Sequence, residues 1–347
     1  TEIQNFTGVP TMNAKIALLL TASILLAARP SAAAPYYTIA DLTPDGYSSS
    51  VAYDINSDGD AVGIAGTYAS GSLVEHYFYY DHSEGTSTPF GVGAVSPRGS
   101  IVGSGYRLAA INDAGAVAGT GVISGGSAYS RGFIYSGGAI TDLGVLAGAT
   151  ATGIRPASDA LDINNSGIAT GTATSGAGTI ASESDNIDVY KGSGAPITDI
   201  DGDTTKFTRG DFGRALNDAG LVVGSNESNK ATMFSGAAET VLLAGTAFAD
   251  EASSAVDINE SGQITGWTVS TNAAFLYDPT DGVTVIPNIG TGHRMASTAI
   301  NESGDVVGKG DRDGGLSGQA RGFVYLDADS SSYILEDQVR DLTVPSE

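Results

Sequence analysis

Hydrophobic and polar positions recur along the chain in one ten-residue pattern, of which DINESGQITG at 257–266 is an example. Each copy has Ile or Leu followed by Asn, then a Gly three residues after the Asn and a second Gly four residues later. Because Asn can hydrogen-bond its own backbone at a turn corner and a later Gly can adopt the left-handed conformation, each copy predicts a strand, a tight turn and a strand. The six copies align without gaps at 54–63, 110–119, 162–171, 215–224, 257–266 and 299–308.

Two further strand-like segments accompany each copy. An aromatic segment follows the hairpin, as in AFLY at 274–277, and a segment ending near Asp-Leu occurs beside it, as in AITDLG at 139–144. Four strands in a unit of about this size are typical of one blade of a β-propeller. The sequence therefore predicts an all-β fold, a β-propeller of about six four-stranded blades. A β-solenoid is the alternative, because Gly- and Asp-rich repeats also build that fold.

Three irregular segments bear on how the propeller is completed. VSPRGSIVG at 95–103 keeps the two glycines but has Ser96 in place of the Asn, and it predicts at most a partial seventh blade. The segments YYTIADL at 36–42 and YILED at 333–337 compete for the last strand of the C-terminal blade. A propeller is often completed by a strand from the other terminus, which removes an exposed sheet edge. We therefore expect both termini to lie in one blade of a closed ring.

The first 33 residues have the features of an export leader. Residues 1–11 precede Met12 and are predicted to be non-native, whereas 12–33 have the charge, the apolar run and the small residues of a secretory signal peptide. The apolar run is too short for a comfortable membrane span. The sequence thus predicts a single repeat domain at 34–347 that is secreted and extracellular, or periplasmic if a Gram-negative bacterium retains it.

The composition restricts the partners of the chain. It contains 39 Asp and Glu against 16 Lys and Arg, and its formal charge is −23. Such a surface offers no basic patch to phosphate groups, so we expect no nucleic acid partner. The chain has no Cys, which excludes disulfides and thiolate metal sites and leaves oxygen ligands for any bound ion.

The first hairpin contains a candidate calcium site. Asp54, Asn56, Asp58 and Asp60 occupy alternate positions around a Gly, as in the front half of a calcium-binding loop. Ala65 stands where such a loop has its closing Glu. The other five copies use the same Asn and Gly for turn geometry alone. Calcium binding and simple turn formation are therefore both open for these four residues.

The order of the motifs G-F-x-Y, x-x-D-L-G and A-x-x-I-N-x-x-G-x-x-x-G over roughly 36–336 resembles the HAF-type extracellular repeat proteins of bacteria. That family is named for a His-Ala-Phe tripeptide in the aromatic strand, and this chain departs from it at the first residue. The resemblance implies export and a propeller-like repeat body, but no established activity and no catalytic residues. The departing position holds His76, Arg131, Asn186, Lys230, Ala273 and Arg321.

Charged residues alternate from unit to unit. Two residues before the Asn, successive copies carry Asp and Ala in turn, and every unit with Ala has Arg or Lys at the start of its aromatic segment. This alternation predicts ion pairs between neighbouring blades. The expected pairs are Arg131 with Asp162, Lys230 with Asp257, and Arg321 with Asp54 around a closed ring.

The sequence gives little support for catalysis. His76, His82 and His293 are separate in sequence, although an aromatic strand between the first two could bring them together, and no nucleophile motif is present. Trp267, the only Trp, suits either a sugar-stacking platform or packing in the core. Four units carry long segments between the hairpin and the aromatic strand, and loops of one class emerge on one face of a repeat body. These segments are 64–75, 120–130, 172–185 and 309–319.

These observations favour a secreted, non-catalytic binding or surface-interaction module. Its expected ligand is an extracellular polysaccharide or a cell-surface component, held on the face where the four long segments meet. A secreted propeller enzyme of the lyase, lactonase or glycosidase type is one alternative, and a structural matrix protein is another.

Overall fold

The structure is a computed structural model that describes residues 41–69, 72–91, 95–97, 109–123, 130–146, 157–174, 187–200, 211–289, 294–311 and 320–334. Within these ranges the regular elements are β-strands and one short 3-10 turn at Asp327–Asp329. The predicted leader at 1–11 and signal peptide at 12–33 lie outside them, as do residues 36–40 of the YYTIADL segment.

The strands of the first half of the chain form three sheets. The first sheet contains β1 (Ser49–Ile55), β2 (Ala61–Ala69), β3 (Ser72–Asp81) and β4 (Thr86–Phe90). The second contains β5 (Val95–Pro97), β6 (Ala109–Ile111), β7 (Val117–Ile123), β8 (Arg131–Ser136) and β9 (Ala139–Asp142). The third contains β10 (Ser158–Ile163), β11 (Ala169–Thr174), β12 (Ile187–Gly192) and β13 (Thr198–Asp199).

The second half of the chain forms three more sheets of the same kind. The fourth contains β14 (Phe212–Leu216), β15 (Val222–Ser225), β16 (Ala231–Ser235) and β17 (Ala238–Val241). The fifth contains β18 (Ser253–Ile258), β19 (Ile264–Thr268), β20 (Ala274–Asp278) and β21 (Gly282–Val285). The sixth contains β22 (Met295–Ile300), β23 (Val306–Asp311), β24 (Ala320–Leu326) and β25 (Ser331–Ile334).

Each sheet is a blade of a β-propeller. Its strands are antiparallel and come from one repeat unit, and each sheet contacts the next one along the chain. In a β-solenoid, by contrast, each sheet would run across successive units. The predicted propeller of six blades is therefore confirmed, and the solenoid alternative is wrong.

The irregular segments join existing blades. β5, from the segment predicted as a partial seventh blade, pairs with the second half of β7, while β6 pairs with the first half. The second sheet consequently has five strands where the others have four. β25 is the fourth strand of the sixth sheet. Its last two residues are the first two of YILED, so this segment supplies the last strand of the C-terminal blade. The carbonyl oxygen of Leu42 instead accepts a hydrogen bond from Ser87 in the first sheet, at 2.7 Å.

The hairpin between the first two strands of each sheet follows the predicted turn chemistry. In the third sheet, Oδ1 of Asn164 accepts the backbone N–H groups of Ser166 and Ile168 at 3.1 and 3.0 Å. The backbone N–H of Gly167 donates to the carbonyl oxygen of Asn164, and Gly167 has φ of 73°. This left-handed backbone explains the first Gly of the repeat, because other residues adopt it at an energetic cost.

The second Gly of the repeat has a packing role. Gly266 pairs with Phe275 across β19 and β20, and a Cβ at Gly266 would collide with the Phe275 ring and the carbonyl oxygen of Ser254. Gly63 and Gly308 meet Phe78 and Phe323 in the same way. The aromatic strand therefore requires Gly opposite its ring, which explains why the two motifs recur together.

The core lies between the sheets, in clusters that each join neighbouring blades. The repeat Ile111 of the second sheet packs with Val62, Ile64 and Tyr77 of the first. Ile163 of the third sheet likewise belongs to a cluster with residues of the second. Burying one such side chain stabilises the fold by about 1.5–3 kcal/mol. Each blade is thus held chiefly by the blades on either side of it.

Candidate functional site

The edge of the sheets that carries the six Asn turns, here called the turn face, has a ladder of side-chain hydrogen bonds. Nδ2 of each of the first five repeat Asn residues donates to the backbone carbonyl oxygen of the repeat Asn in the next sheet, at 2.8 to 3.3 Å. The ladder ties all six sheets in sequence order. It runs from Asn56 through Asn112, Asn164, Asn217 and Asn259 to Asn301.

A second row of hydrogen bonds runs beside the ladder. The residue after each Asn donates its backbone N–H to the side-chain oxygen of the corresponding residue in the next sheet, at 2.7 to 3.2 Å. The sequence contains a signal for this row that our reading missed, because every residue at the position has a side-chain oxygen. This acceptor row consists of Ser57, Asp113, Asn165, Asp218, Glu260 and Glu302.

The pKa values of two carboxyl groups in the acceptor row, Asp113 and Glu260, are shifted in opposite directions. Hydrogen bonds from Ser57 lower the pKa of Asp113, and a further bond from the Asn165 side chain acts in the same direction. Partial burial raises the pKa of Glu260, and the nearby charges of Asp218 and Glu302 add to this, while the backbone N–H of Asp218 opposes it. Hydrogen bonds therefore stabilise the charged form of Asp113, whereas burial and neighbouring charges destabilise the charged form of Glu260.

Three of the four predicted calcium ligands accept separate hydrogen bonds on or near the turn face. Oδ2 of Asp54 accepts the backbone N–H of Ile111, and Oδ1 of Asn56 accepts N–H groups of its own turn. Asp60 accepts the hydroxyl of Tyr79 at 2.6 Å and the backbone N–H of His82 at 2.9 Å. Asp58 is exposed. Among the described residues no group of three or more His, Asp or Glu could hold a metal ion, so calcium binding stays a prediction.

The alternating Asp residues link blades in pairs. The first strand has a bulge just before this position in the three units that carry Asp, and also in the fourth and sixth sheets, which carry Ala. Asp54, Asp162 and Asp257 then accept the backbone N–H of Ile111, Leu216 and Ile300 in the next sheet, at 2.8 to 2.9 Å. Each of these Asp residues thus links its own sheet to the following one, whereas the predicted ion pairs joined it to the preceding unit.

The predicted cations have other surroundings. Nζ of Lys230 donates to the backbone carbonyl oxygen of Glu251 at 3.0 Å, and Nη1 of Arg131 is buried without a hydrogen-bond partner in the described part of the chain. Among the described residues, the structure therefore does not show the expected ion pairs of Lys230 with Asp257 and of Arg131 with Asp162. The pairing of Arg321 with Asp54 stays a prediction.

The histidines of the first sheet lie apart. Nδ1 of His76 is 2.7 Å from the hydroxyl of Tyr47, whereas His82 follows β3 and lies against the turn at Gly59. His293 falls outside the described ranges. The aromatic strand therefore separates His76 and His82 and does not join them in one site.

The opposite edge of the sheets, where the second strand crosses to the third, is the loop face. In the first sheet the long segment predicted as a loop is mostly β-structure, since β2 and β3 pair from Ala61 and Tyr80 out to Ala69 and Ser72. Tyr68 and Leu73 face solvent near its tip. Most of the other three long segments, at 120–130, 172–185 and 309–319, lies outside the described residues. Their meeting on one face stays a prediction.

A cleft of about 260 Å³ opens on the loop face between the fifth and sixth sheets. Trp267, near the end of β19, and Asn272, in the loop before β20, contribute one wall. The carbonyl oxygen of Asn272 accepts the backbone N–H of Met295 at 2.7 Å, which fixes this loop against the start of β22. The half-buried Trp267 thus lies at the rim of a concave site. A platform on which a ligand stacks needs such a position.

The other wall of the cleft is basic. Arg294 precedes β22, and Lys309 pairs with Ala296 across β22 and β23; both cations are exposed at the cleft. None of the described residues that line the cleft is a carboxylate. A half-buried indole at the rim of a cleft, beside two cations, can hold a flat, partly apolar ligand that carries negative charge. The sequence did not reveal this combination, because the residues come from three strands and a loop.

Comparisons with known proteins concern the fold. The family model described as "Protein of unknown function (DUF3466)" matches residues 40–143, less than half of the chain. Comparison with curated proteins found no significant match. Among the described residues, no helix has the length and apolar character needed to cross a membrane.

Solved structures of several peptidases are similar to the chain. The acylaminoacyl peptidase of Pyrococcus horikoshii is 12% identical with a TM-score of 0.51, over 82% of this chain and 46% of that one. A puromycin-hydrolyzing peptidase of Mycobacterium tuberculosis is 13% identical with a TM-score of 0.44, over 81% and 45%. The β-propeller domain of the Trilobed protease from Pyrococcus furiosus is 10% identical with a TM-score of 0.39, over 88% and 98%. The chain spans less than half of the first two proteins, and at such identities the likeness concerns the fold alone.

Proposed function

We propose that the protein is a secreted, non-catalytic binding module, and that the loop-face cleft binds an acidic extracellular polysaccharide. The observation that carries the proposal is the position of Trp267 opposite Arg294 and Lys309. Two of the chain's 16 Lys and Arg residues line one cleft of a strongly acidic protein. Export is supported by the leader pattern and by the resemblance to HAF-type repeat proteins.

The chemistry of each wall suits a different part of an acidic sugar. The indole of Trp267 offers an apolar surface that can cover the apolar face of a sugar ring. A guanidinium can bind a carboxylate or sulfate through two parallel hydrogen bonds, and an ammonium contributes a point charge. Pockets for larger ligands have volumes of about 300–1,000 Å³. The smaller cleft suits a single residue of a chain that continues over the surface.

Titration of the purified protein with polygalacturonate, and with neutral dextran for comparison, tests this function. We expect binding of the acidic polymer that weakens with added salt, and little binding of the neutral one. Trp267→Ala and the double variant Arg294→Gln/Lys309→Gln should each weaken the affinity at least about tenfold, or about 1.4 kcal/mol. Lys191→Gln, which removes a cation far from the cleft in the third sheet, is the matched control and should bind normally.

Two outcomes would overturn the proposal. Equal affinity of the parent and both cleft variants would place the ligand elsewhere. Depolymerisation of polygalacturonate or another polysaccharide by the purified protein, abolished by a cleft substitution, would favour the alternative of a secreted propeller enzyme.

A further inference from the structure

The loop that brings Asn272 to the cleft has an equivalent in the fourth sheet. Asn272 and Asn229 both have a left-handed backbone, with φ of 52° and 55°. The carbonyl oxygen of each accepts a backbone N–H at the start of the following sheet, from Met295 at 2.7 Å and from Ser253 at 2.8 Å. Among residues with a side chain, Asn adopts this conformation most readily. Backbone geometry therefore explains an Asn at both positions without any ligand.

The residues around these two Asn residues differ. In the fourth sheet the next residue is Lys230, whose Nζ crosses to the carbonyl oxygen of Glu251, just before the fifth sheet. In the fifth sheet the next residue is Ala273, whose methyl group cannot make such a crossing. Trp267 also stands where the fourth sheet has Ser225. The cleft therefore opens at a junction where a small residue replaces a bridging lysine and an indole replaces a hydroxyl.

The side-chain amide of Asn272 can bind a ligand in this cleft. The residue is half-buried and lines the cleft wall beside Trp267. Its Nδ2 donates to the carbonyl oxygen of Ser270 at 3.4 Å, which is longer than a typical hydrogen bond. A primary amide has two N–H donors and an acceptor oxygen, so this long bond leaves capacity for a neutral hydroxyl group. The indole and the two cations of the cleft do not provide a donor and an acceptor in one group.

We propose that Asn272 is a specificity-determining residue of the cleft, and that its side-chain amide hydrogen-bonds a ring hydroxyl of the bound sugar acid. The inference rests on the proposed function, in which Trp267 covers the ring and Arg294 and Lys309 hold the acid group. Those cations attract any polyanion, because charge alone does not distinguish one carboxylate polymer from another. A hydroxyl read by a hydrogen bond does distinguish them. Asn272 thus selects sugar acids among polyanions.

The affinities of Asn272→Gly for two polyanions test this role. Polygalacturonate has carboxylates and ring hydroxyls, whereas polyacrylate has carboxylates and no hydroxyls. Gly adopts the left-handed backbone and keeps the carbonyl bond to Met295, so the substitution removes the amide alone. Asn272→Gly should bind polygalacturonate about three- to tenfold more weakly than the parent, and polyacrylate equally well. Asn229→Gly, the matched control in the fourth sheet, should bind both polymers as the parent does.

Asn272→Asp gives a second measurement. It places a carboxylate beside the ligand, so both polymers should bind at least about tenfold more weakly. If Asn272→Asp bound both polymers as the parent does, the side chain would face away from the ligand and the inference would be wrong.

The outcomes separate this inference from the proposed function. Equal weakening of both polymers by Asn272→Gly would show that Asn272 only shapes the loop. Unchanged binding of polygalacturonate by Asn272→Gly, where Trp267→Ala loses it, would show that the cleft holds the polymer without reading a hydroxyl. Either result overturns this inference alone. A parent that does not bind polygalacturonate, or a Trp267→Ala variant that binds it normally, overturns the proposed function and this inference together.

Discussion

At the scale of single residues, the hydrogen bonds of the repeat Asn show why this position needs a side-chain amide rather than a carboxylate. Oδ1 of Asn164 accepts two backbone N–H groups of its own turn, and its Nδ2 donates to Asn217 in the next sheet. A side-chain amide has both an acceptor and a donor, whereas Asp has only acceptors when ionised. Asp would therefore preserve the turn and lose the link to the next blade.

The acceptor row should make two substitutions respond to pH with opposite sign. The pKa of Glu260 is raised above its ordinary value of 4.5, so its contribution to stability is present below pH 4.5 and is lost as pH rises through the raised pKa. The pKa of Asp113 is lowered from 3.8, so its contribution is present above pH 3.8 and is lost as pH falls through the lowered pKa. Glu260→Gln should therefore gain stability relative to the parent as pH rises from 4 to 7. Asp113→Asn should lose stability relative to the parent at pH 7, and the difference should narrow below pH 3.8.

Urea unfolding of both variants and the parent at about pH 3, 4.5 and 7 measures these differences. Each variant serves as the control for the other, since both remove one carboxylate from the same row. If the two differences in unfolding free energy moved in the same direction with pH, the local surroundings of these groups would not determine their titration.

At the scale of the elements, the hairpins could be predicted from the sequence because their information is local. Asn, the first Gly and the alternating apolar residues determine the turn within ten residues, as at 162–171. The partner of the Asp162 carboxylate could not be predicted, because it lies in the neighbouring sheet. The cleft at Trp267 was missed for the same reason, since Arg294 and Lys309 reach it from another blade.

Composition suggests the wrong structure for two segments whose conformation depends on pairing with another strand. The Gly- and Ser-containing segment at 64–75 suggested a loop, yet the long pairing of β2 with β3 makes it an extended hairpin. VSPRGSIVG suggested part of a seventh blade. Its strand β5 instead pairs with the part of β7 that lies beyond the end of β6. In both segments the backbone gained hydrogen bonds that a one-dimensional pattern does not reveal.

The ladder should contribute measurably to the stability of the interior blades. Asn164→Ala removes the bonds to Ser166 and Ile168 and the bond to Asn217 from a buried position, and it should lower the free energy of unfolding by about 2–4 kcal/mol. Asn301→Ala is the matched control, because it removes the same side-chain hydrogen bonds of a turn at an exposed position, with no bond to a following sheet. It should lower the free energy of unfolding by about 1 kcal/mol or less. Urea unfolding compares them. Equal losses would mean that only the turn matters.

At the scale of the whole molecule, the blades form a series in which each is held by its neighbours. Repeat bodies of this kind have a stability that is approximately a sum of the units and of the interfaces between neighbours. The third and fourth sheets have a blade on each side, whereas Ile55 of the first sheet and Val307 of the sixth are exposed at positions that are buried in the interior sheets. Stability should therefore be distributed unevenly along the chain, although the six hairpins are alike.

Amide hydrogen exchange should reveal this gradient. The amides of the second strand in the fourth sheet, β15, should exchange at least about tenfold more slowly than those of β23 in the sixth sheet, because local opening of a terminal blade breaks one interface rather than two. Gly224 and Gly308 occupy the same repeat position in these strands and give a matched comparison. Equal protection of all six sheets would contradict the series of blades and would indicate a ring closed within one chain.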